Sequence, residues 1–561
     1  MNDQMLRRRF RSLGATGLAA LTLIGCGESK QAATASAALP SPSAGQVAAA
    51  SAAPKVSFYA ASRFAEQASF GPTPALVAEL QAKGFEKWID EQLALPASLI
   101  DAAPVANPAP TNPVTSAYMW STFGGLAMTA PDPLRLRVSW SLAQYIVVMG
   151  TNIGRVNWFN LLQRRAFGRY GELLRDLSVD ASMGNFLDNA KNRPRSPECP
   201  SCAPNENFAR ELMQLFSLGL YQLNPDGTPV LDARGRKIET YTQRDVEELA
   251  RALTGWTHDI RDPSWPDDWV SRPLIPSLHP TDRDSAAKTV LGRSFPAGQP
   301  QQKDLDDTVA MLMAHANIAP FVGLRLIQHL VKSSPSPAYV GRVAAAFRNN
   351  GSGVAGDMKA TLKAVLLDPE ARRGDDPAQA ARSDGKYREH VLWHWHFFRA
   401  VGCQRALYTP RTDGLDPFWE PIVQVPFRYP NVFGYYQAGD RSPGATMLAP
   451  EQRLVTSVEI SSRFSALSRA STRQGERVNS IDIYERSGCD LQPLINAFQA
   501  SPQAFTELVS MRFFRGAMPA PLRRTVEEMM GSSEWRQPYA PHTMLNILGW
   551  ALSTPHFGVM L

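Results

Sequence analysis

The sequence predicts an all-α fold: one large multi-helix domain with long Pro-rich loops and at most a small β-hairpin. Three observations carry this. Apolar residues recur at three- and four-residue spacing in segment after segment. Capping residues stand where those runs begin, and glycines where they end. Sustained period-two alternation, the mark of a half-buried strand, is scarce. The 561 residues are 44% hydrophobic and 20% charged, with 12 Trp and 25 Phe. That is material for a large core and excludes a disordered chain.

In chain order, residues 1–26 read as an export signal. Arg7-Arg8-Arg9-Phe10 is a charged opening of twin-arginine type, and Leu13 to Gly25 is a short apolar stretch. Leu23-Ile24-Gly25-Cys26 looks like a bacterial lipobox. Cleavage before Cys26 leaves that cysteine to carry lipid, so a membrane is an expected partner through the anchor. The expected location is the bacterial cell envelope, as a periplasmic or outer-membrane lipoprotein. The alternative is a plain signal peptide with an incidental Cys. Residues 27–54 are nearly all Ala, Ser, Gly, Pro and Gln. They read as a disordered tether, because such a segment buries too little apolar surface to offset its ordering entropy. Residues 55–561 then form the helical domain.

The formal charge is +6, half of it in residues 1–25. The remainder is close to neutral for its size, so nucleic acid is not an expected partner.

Within the domain, Thr73-Pro74 caps a helix that Gly84 ends. Phe85, Trp88, Ile89 and Leu93 form the next stripe. Asp132-Pro133 opens a helix running through Leu142, Tyr145, Ile146 and Met149 to Gly150. Asn157 to Leu177 continues in the same style. Pro204 and Asn205 open a helix that ends at Gly219. Thr242-Gln243-Arg244-Asp245 resembles a capping box. Helical spacing returns at 321–331, 339–347, 358–367, 388–401, 451–467, 491–498, 502–514 and 521–530. A single hairpin is expected at Asp226-Gly227. The stretches 260–305 and 402–450 read as long loops, a length often tied to function.

With Cys26 assigned to lipid, Cys199, Cys202, Cys403 and Cys489 remain. An even count in an oxidising compartment suggests two disulfides, with three pairings open. Cys199 and Cys202 sit in a Pro-rich loop rather than at a helix start after a strand, which favours a structural disulfide over redox chemistry.

The run Asn205-Glu206-Asn207-Phe208-Ala209-Arg210-Glu211 is the most informative polar cluster. Helical spacing sets Glu206 one turn from Arg210 and Asn207 one turn from Glu211. A carboxylate held by Arg and Asn suits general acid or base work. The bland alternative is capping plus an i,i+4 ion pair worth a few tenths of a kcal/mol. Asp188 precedes the Cys loop and is a candidate to face this helix end; the structural alternative is a C-cap at Asn189. His390, His394 and His396 invite a metal reading, but they lie among Trp393, Trp395, Phe397 and Phe398 with no carboxylate at matching spacing, so an aromatic core helix is expected. No metal site is expected, and the sequence names no cofactor.

Several segments together resemble the bacterial domain-of-unknown-function-1800 family. They are Ala68 to Pro74, Asn205 to Gly219, Tyr241 to Trp256, Lys288 to Gly292 and Pro430-Asn431-Val432-Phe433-Gly434-Tyr435-Tyr436. The resemblance implies an exported, mainly helical protein without a settled reaction. It also implies a neighbour of the domain-of-unknown-function-1501 family, which resembles sulfatases and phosphatases. The family's His-Asp-x-Gly-x-Lys stretch is Arg283-Asp284-Ser285-Ala286-Ala287-Lys288 here, without the His or the Gly.

The functional expectation is a carboxylate-based hydrolase or lyase acting on an extracellular polymer or glycan. Glu206, Glu211, Arg210 and Asp188 are its candidate catalytic residues, and Asn205, Asn207, Asp284 and Lys288 its candidate substrate-binding residues. The alternative is a non-catalytic scaffold or assembly partner of the exported domain-1501 neighbour, with Phe418 to Tyr436 as its contact surface.

Overall fold

The computed structural model describes residues 56–102, 117–150, 152–259, 272–404, 424–467, 471–473, 476–478, 484–485, 488–532 and 540–561. The export signal, Cys26 and the tether lie outside the described residues.

The first helix, Phe58–Ala68, is capped by Ser57. The next, Pro74–Lys83, starts as its sequence dictates. The Thr73 hydroxyl accepts from the Leu76 amide at 3.1 Å, and Pro74 occupies the first helical position, where its missing N–H costs nothing. Gly84 then takes φ +77 and turns the chain into Phe85–Ala94. The capping box at Thr242 forms in full, opening Gln243–Ala252. Helices Ile318–Leu330, Pro337–Arg348, Met358–Leu367, Pro502–Phe513 and Ala520–Gly531 cover the stripes read from the sequence. The protein is mostly all-α. Its described strands form four antiparallel two-stranded ladders, none longer than three residues.

Several boundaries differ from the sequence reading. The Asp132 helix ends at Ala143, well short of Gly150. The stretch 157–177 divides into Asn152–Arg165 and Tyr170–Ser178, because the Tyr170 amide leaves the helical pattern to donate to the Gly356 carbonyl at 2.8 Å. The Asn205 helix begins at Asn207 and is regular only to Gln214, after which wide turns carry the chain to Gly219. The stripe at 451–467 is a short 3-10 turn, Pro450–Leu454, then a new helix Ser457–Ala466 under a Thr456 cap. Gln301–Ala314 is a helix where a loop was expected to reach 305. The segment 220–240 folds back twice, at Asp226-Gly227 and again between Asp232 and Arg236, so it holds two reversals rather than one hairpin.

One hydrophobic core runs through these elements. At its centre, Phe123 stands 4.8 Å from Trp395 and 5.2 Å from Phe427, with Trp140 and Phe159 closing the cluster. Trp395 belongs to His390–Ala400, in which every side chain is buried, as an aromatic core helix requires. Its histidines are tied into this interior. His390 Nδ1 meets Glu459 Oε1 at 2.5 Å, and His396 lies between the Arg388 guanidinium and the Arg512 carbonyl. The aromatic residues in the described part of the segment proposed as a contact surface mostly face inward: Phe427, Tyr429 and Tyr436 are buried, Tyr435 is half-buried, and Phe433 is the exposed one among them. This corrects the surface reading for residues 424–436; Phe418 lies outside the described residues. Two disulfides are present, Cys199–Cys202 and Cys403–Cys489.

Candidate functional site

The residues around the Asn207–Gln214 helix start gather as the spacing predicts, but most of them satisfy one another. Glu206 Oε2 accepts from Arg210 Nη2 at 2.7 Å and from Gln243 Nε2 at 2.8 Å, while Arg210 also donates to Gln243 Oε1 at 3.1 Å. This triangle is partly exposed, so its ion pair contributes a few tenths of a kcal/mol. Arg210 is thereby committed to protein partners. The Asn205 side chain accepts from the Asn207 amide at 2.9 Å, and Asn192 holds Asn205 through its backbone N–H and C=O. Asn207 does not turn to Glu211. Its Nδ2 lies 3.4 Å from Asp188 Oδ2.

Asp188 arrives there by an unusual backbone. The preceding helix Ala181–Phe186 ends at Leu187, and Asp188, not Asn189, takes the left-handed conformation with φ +59. Asn189 is instead buried and donates to the Ser178 carbonyl at 3.2 Å. Left-handed geometry at a non-glycine residue is a cost that short polar side chains bear best.

Glu211 stands apart from the triangle. It is 6% exposed, and its Oε2 is buried with no hydrogen-bond partner. Burial raises its carboxyl to about 7, with the Arg210 charge opposing. Nearby Tyr241 likewise has a buried hydroxyl without a partner; burial raises it to about 12, and it feels the charges of Arg210 and Glu211. Five positions separate Glu206 from Glu211, which sets them well over a quarter-turn apart around the helix. The two carboxylates therefore do not form a facing acid–base pair.

Asp284 and Lys288 belong to other clusters. Asp284 receives two hydrogen bonds from Arg251, at 2.7 and 3.2 Å, and one from the Ala286 amide. Burial alone would raise its carboxyl, but Arg251 overrides that and holds it below the usual range. Lys288 is buried against Asp304 at 3.2 Å, and Asp304 also takes Arg283 at 2.6 Å. Arg283, which stands at the family's His position, thus serves an interior ion network. Asp188, Glu206 and Arg210 share one surface region; Asp284 and Lys288 are engaged elsewhere.

Among the cavities on the described surface, two bear on function. One, of about 240 Å³, is largely apolar and lies among Phe58, Pro72, Val77 and Met511. The other, of about 120 Å³, is lined by Tyr145, Leu215, Arg325, His329, Phe433 and Tyr436 among others. Neither is lined by Glu206 or Glu211. Sequence reading passed over the second because its lone Arg and lone His carry no local pattern. The signal was the Pro430–Tyr436 motif, whose Gly434 takes φ +73 with the Gln144 carbonyl where a Cβ would stand. That approach is open only to glycine, and it brings Tyr436 beside His329, 3.2 Å from hydroxyl to Nδ1.

Among the described residues, no group of three or more His, Cys, Asp or Glu side chains is placed to hold a metal ion. No described single helix is long and apolar enough to cross a membrane. No curated protein and no solved structure matches the chain. The family model described as "Protein of unknown function (DUF1800)" matches residues 63–559, nearly the whole sequence, and the chain belongs to that family.

Proposed function

We propose that the protein is an exported, envelope-anchored enzyme, lipidated at Cys26 after twin-arginine export, that cleaves an extracellular polymer or glycan as a hydrolase or lyase. The export reading rests on the arginine, apolar and lipobox sequence in residues 1–26. The two disulfides are in keeping with an oxidising compartment.

The observation that carries the catalytic reading is Glu211. A carboxyl group raised to about 7 keeps a large protonated fraction at neutral pH and can donate that proton to a leaving oxygen. Its Oε2 lacks the hydrogen bond that would commit it to structure. Glu206, Arg210 and Gln243, with Asn205, Asn207 and Asp188, then form the polar surface that receives the substrate, and Glu211 is the proton donor beneath it. Release of new reducing ends from a panel of acidic and neutral polysaccharides tests this. Glu211→Gln lowers the rate by about 10²-fold or more with unfolding temperature unchanged. An unaltered rate in that variant removes Glu211 from the chemistry.

A second reading, a non-catalytic partner of the exported domain-1501 neighbour, draws on a different feature. Val455, Val458, Ile460 and Phe464 are each 37–48% exposed in and beside the Ser457–Ala466 helix. Exposed apolar side chains grouped on one short segment suit an interface. Co-purification of the two proteins, lost on Val458→Asp with Phe464→Asp, would favour it.

A further inference from the structure

Among the described residues, Arg325 is a cation with no carboxylate in contact. It projects from Ile318–Leu330, partly buried, with its guanidinium 3.3 Å over the centre of the Phe321 ring and 5.8 Å from that of Tyr145. Its Nη1 donates to the Phe321 carbonyl at 3.2 Å. The polar groups that face it are the neutral hydroxyls of Tyr145 and Tyr170. Behind the cavity, Lys386 lies 3.3 Å from both Glu389 and Glu451. Arg137 donates to the His329 carbonyl and feels the Glu389 charge through space without touching it. The cation that lines the hollow has neither acid.

The cavity wall offers more than charge. Tyr145 is 9% exposed, and its hydroxyl pairs with that of Tyr170. Tyr170, beside it, spends its own proton on the Phe216 carbonyl at 2.7 Å. His329 is stacked on Tyr145 at 6.1 Å, and burial with the Lys386 charge pushes it down to about 3, so it is neutral and adds no positive charge. Gln328 donates to the Ala438 carbonyl at 2.9 Å and fixes the far wall. Tyr436 and Phe433 supply flat apolar surface at the mouth.

A guanidinium with no carboxylate in contact and aromatic walls around about 120 Å³ define a recognisable chemistry. A guanidinium binds planar or tetrahedral oxyanions through paired N–H donors, most strongly where water is partly excluded. Aromatic faces pack against the ring that carries such a group. We propose that the cavity bounded by Tyr145, Arg325 and Tyr436 is a binding site for one oxyanion substituent on a sugar, a carboxylate or a sulfate ester, with Arg325 as its counter-ion. This goes beyond the enzyme reading and does not depend on Glu211, because it is measured as binding.

The test is calorimetric titration of the full chain at low salt with three probes: sodium glucuronate, glucose 6-sulfate and glucose. At least one anionic sugar gives saturable binding that weakens as salt is raised, and glucose gives none. Glucuronate alone identifies a carboxylate site, and glucose 6-sulfate alone a sulfate site. Arg325→Met weakens binding roughly ten- to a hundredfold, the span of a charge-assisted hydrogen bond. Tyr145→Phe, which keeps the packing, weakens it less. The inference is overturned if neither anionic sugar saturates at tens of millimolar, if glucose binds equally well, or if Arg325→Met binds as the parent does.

Discussion

Replacing Lys386 by Met tests the electrostatic logic beneath the cavity. Lys386 Nζ lies 3.3 Å from Glu389 Oε1 and 3.3 Å from Glu451 Oε1, and it donates to the His329 carbonyl at 3.1 Å. All three charged side chains are at most 1% exposed. Burial alone would raise Glu389; Lys386 and then Arg137 override it and hold the carboxyl at about 2 against a usual 4.5. At about 1.4 kcal/mol per pH unit, that depression is worth roughly 3 kcal/mol in favour of the charged form, shared between the two cations. Met fills the volume of the lysine stem but leaves two carboxylates facing one another, and breaking a buried pair in this way costs about 3–5 kcal/mol. The sign with pH follows. In the parent, the Glu389 contribution is complete above the unfolded carboxyl value near 4.5 and is lost as pH falls toward 2. In the variant, burial is no longer countered by Lys386, so Glu389 binds a proton at higher pH when folded than when unfolded. Acidification from pH 7 to pH 5 therefore narrows the gap in stability between parent and variant, the other groups that titrate in that range, Glu211 and His396 among them, being common to both. Urea midpoints of both proteins at the two pH values, followed by circular dichroism, read this directly. A loss under about 1 kcal/mol at pH 7, or a loss that is the same at pH 5, refutes the reasoning.

Two further predictions concern the backbone. Gly434→Ala drives a methyl group into the Gln144 carbonyl oxygen at a residue with φ +73. Left-handed strain and the forced displacement together cost about 2–4 kcal/mol, and thermal unfolding indistinguishable from the parent would contradict the assigned approach. The disulfides should differ in weight. Cys403–Cys489 closes 86 residues and Cys199–Cys202 only 3. Loop-closure entropy makes removal of the first by paired Cys→Ser substitution cost about 4–5 kcal/mol, against about 1–2 for the second. Equal costs in urea unfolding would show that the long loop is already confined in the unfolded chain.

How much of this was legible beforehand depended on whether the information is local. Caps are local: Thr73-Pro74 and the Thr242 box need only a few neighbours to form, and they form. The aromatic reading of His390–Ala400 rested on side-chain chemistry within a single helix and is matched by complete burial. Breaks imposed from outside were not legible. Nothing in residues 157–177 announces that Tyr170 will donate to Gly356. The continuous stripe at 451–467 hid a second cap at Thr456, since a 3-10 turn and a helix both present apolar residues at about three-residue spacing. For the candidate site, spacing correctly gave the Glu206–Arg210 pair. It could not tell that Glu211, on the same helix, would be the buried and unpartnered acid, because that depends on what packs above it. The resemblance set Asp284 and Lys288 beside the same chemistry, but Arg251 and Asp304 claim them first.

The cavity extends the same argument. Its walls come from positions 145, 215, 325, 329 and 432–439, far apart in sequence, and only the Pro430–Tyr436 motif among them stands out locally. What unites them is visible only in three dimensions: Lys386, behind the cavity, has two acids, and Arg325, in its wall, has no carboxylate in contact among the described residues. Leu215 lines the cavity, and Glu211 lies one helical turn before it on the same helix. A turn is about 5.4 Å. A polymer whose oxyanion is held at Arg325 would therefore run past the helix that carries the unpartnered carboxyl. The two features rest on separate observations, one a missing counter-ion and the other a missing hydrogen bond. Anion recognition survives if Glu211 proves inert, and proton donation survives if Arg325 binds nothing. Only a decorated polymer would need both at once, and Leu215 is the link: it lines the cavity beside Arg325 and stands one turn beyond Glu211.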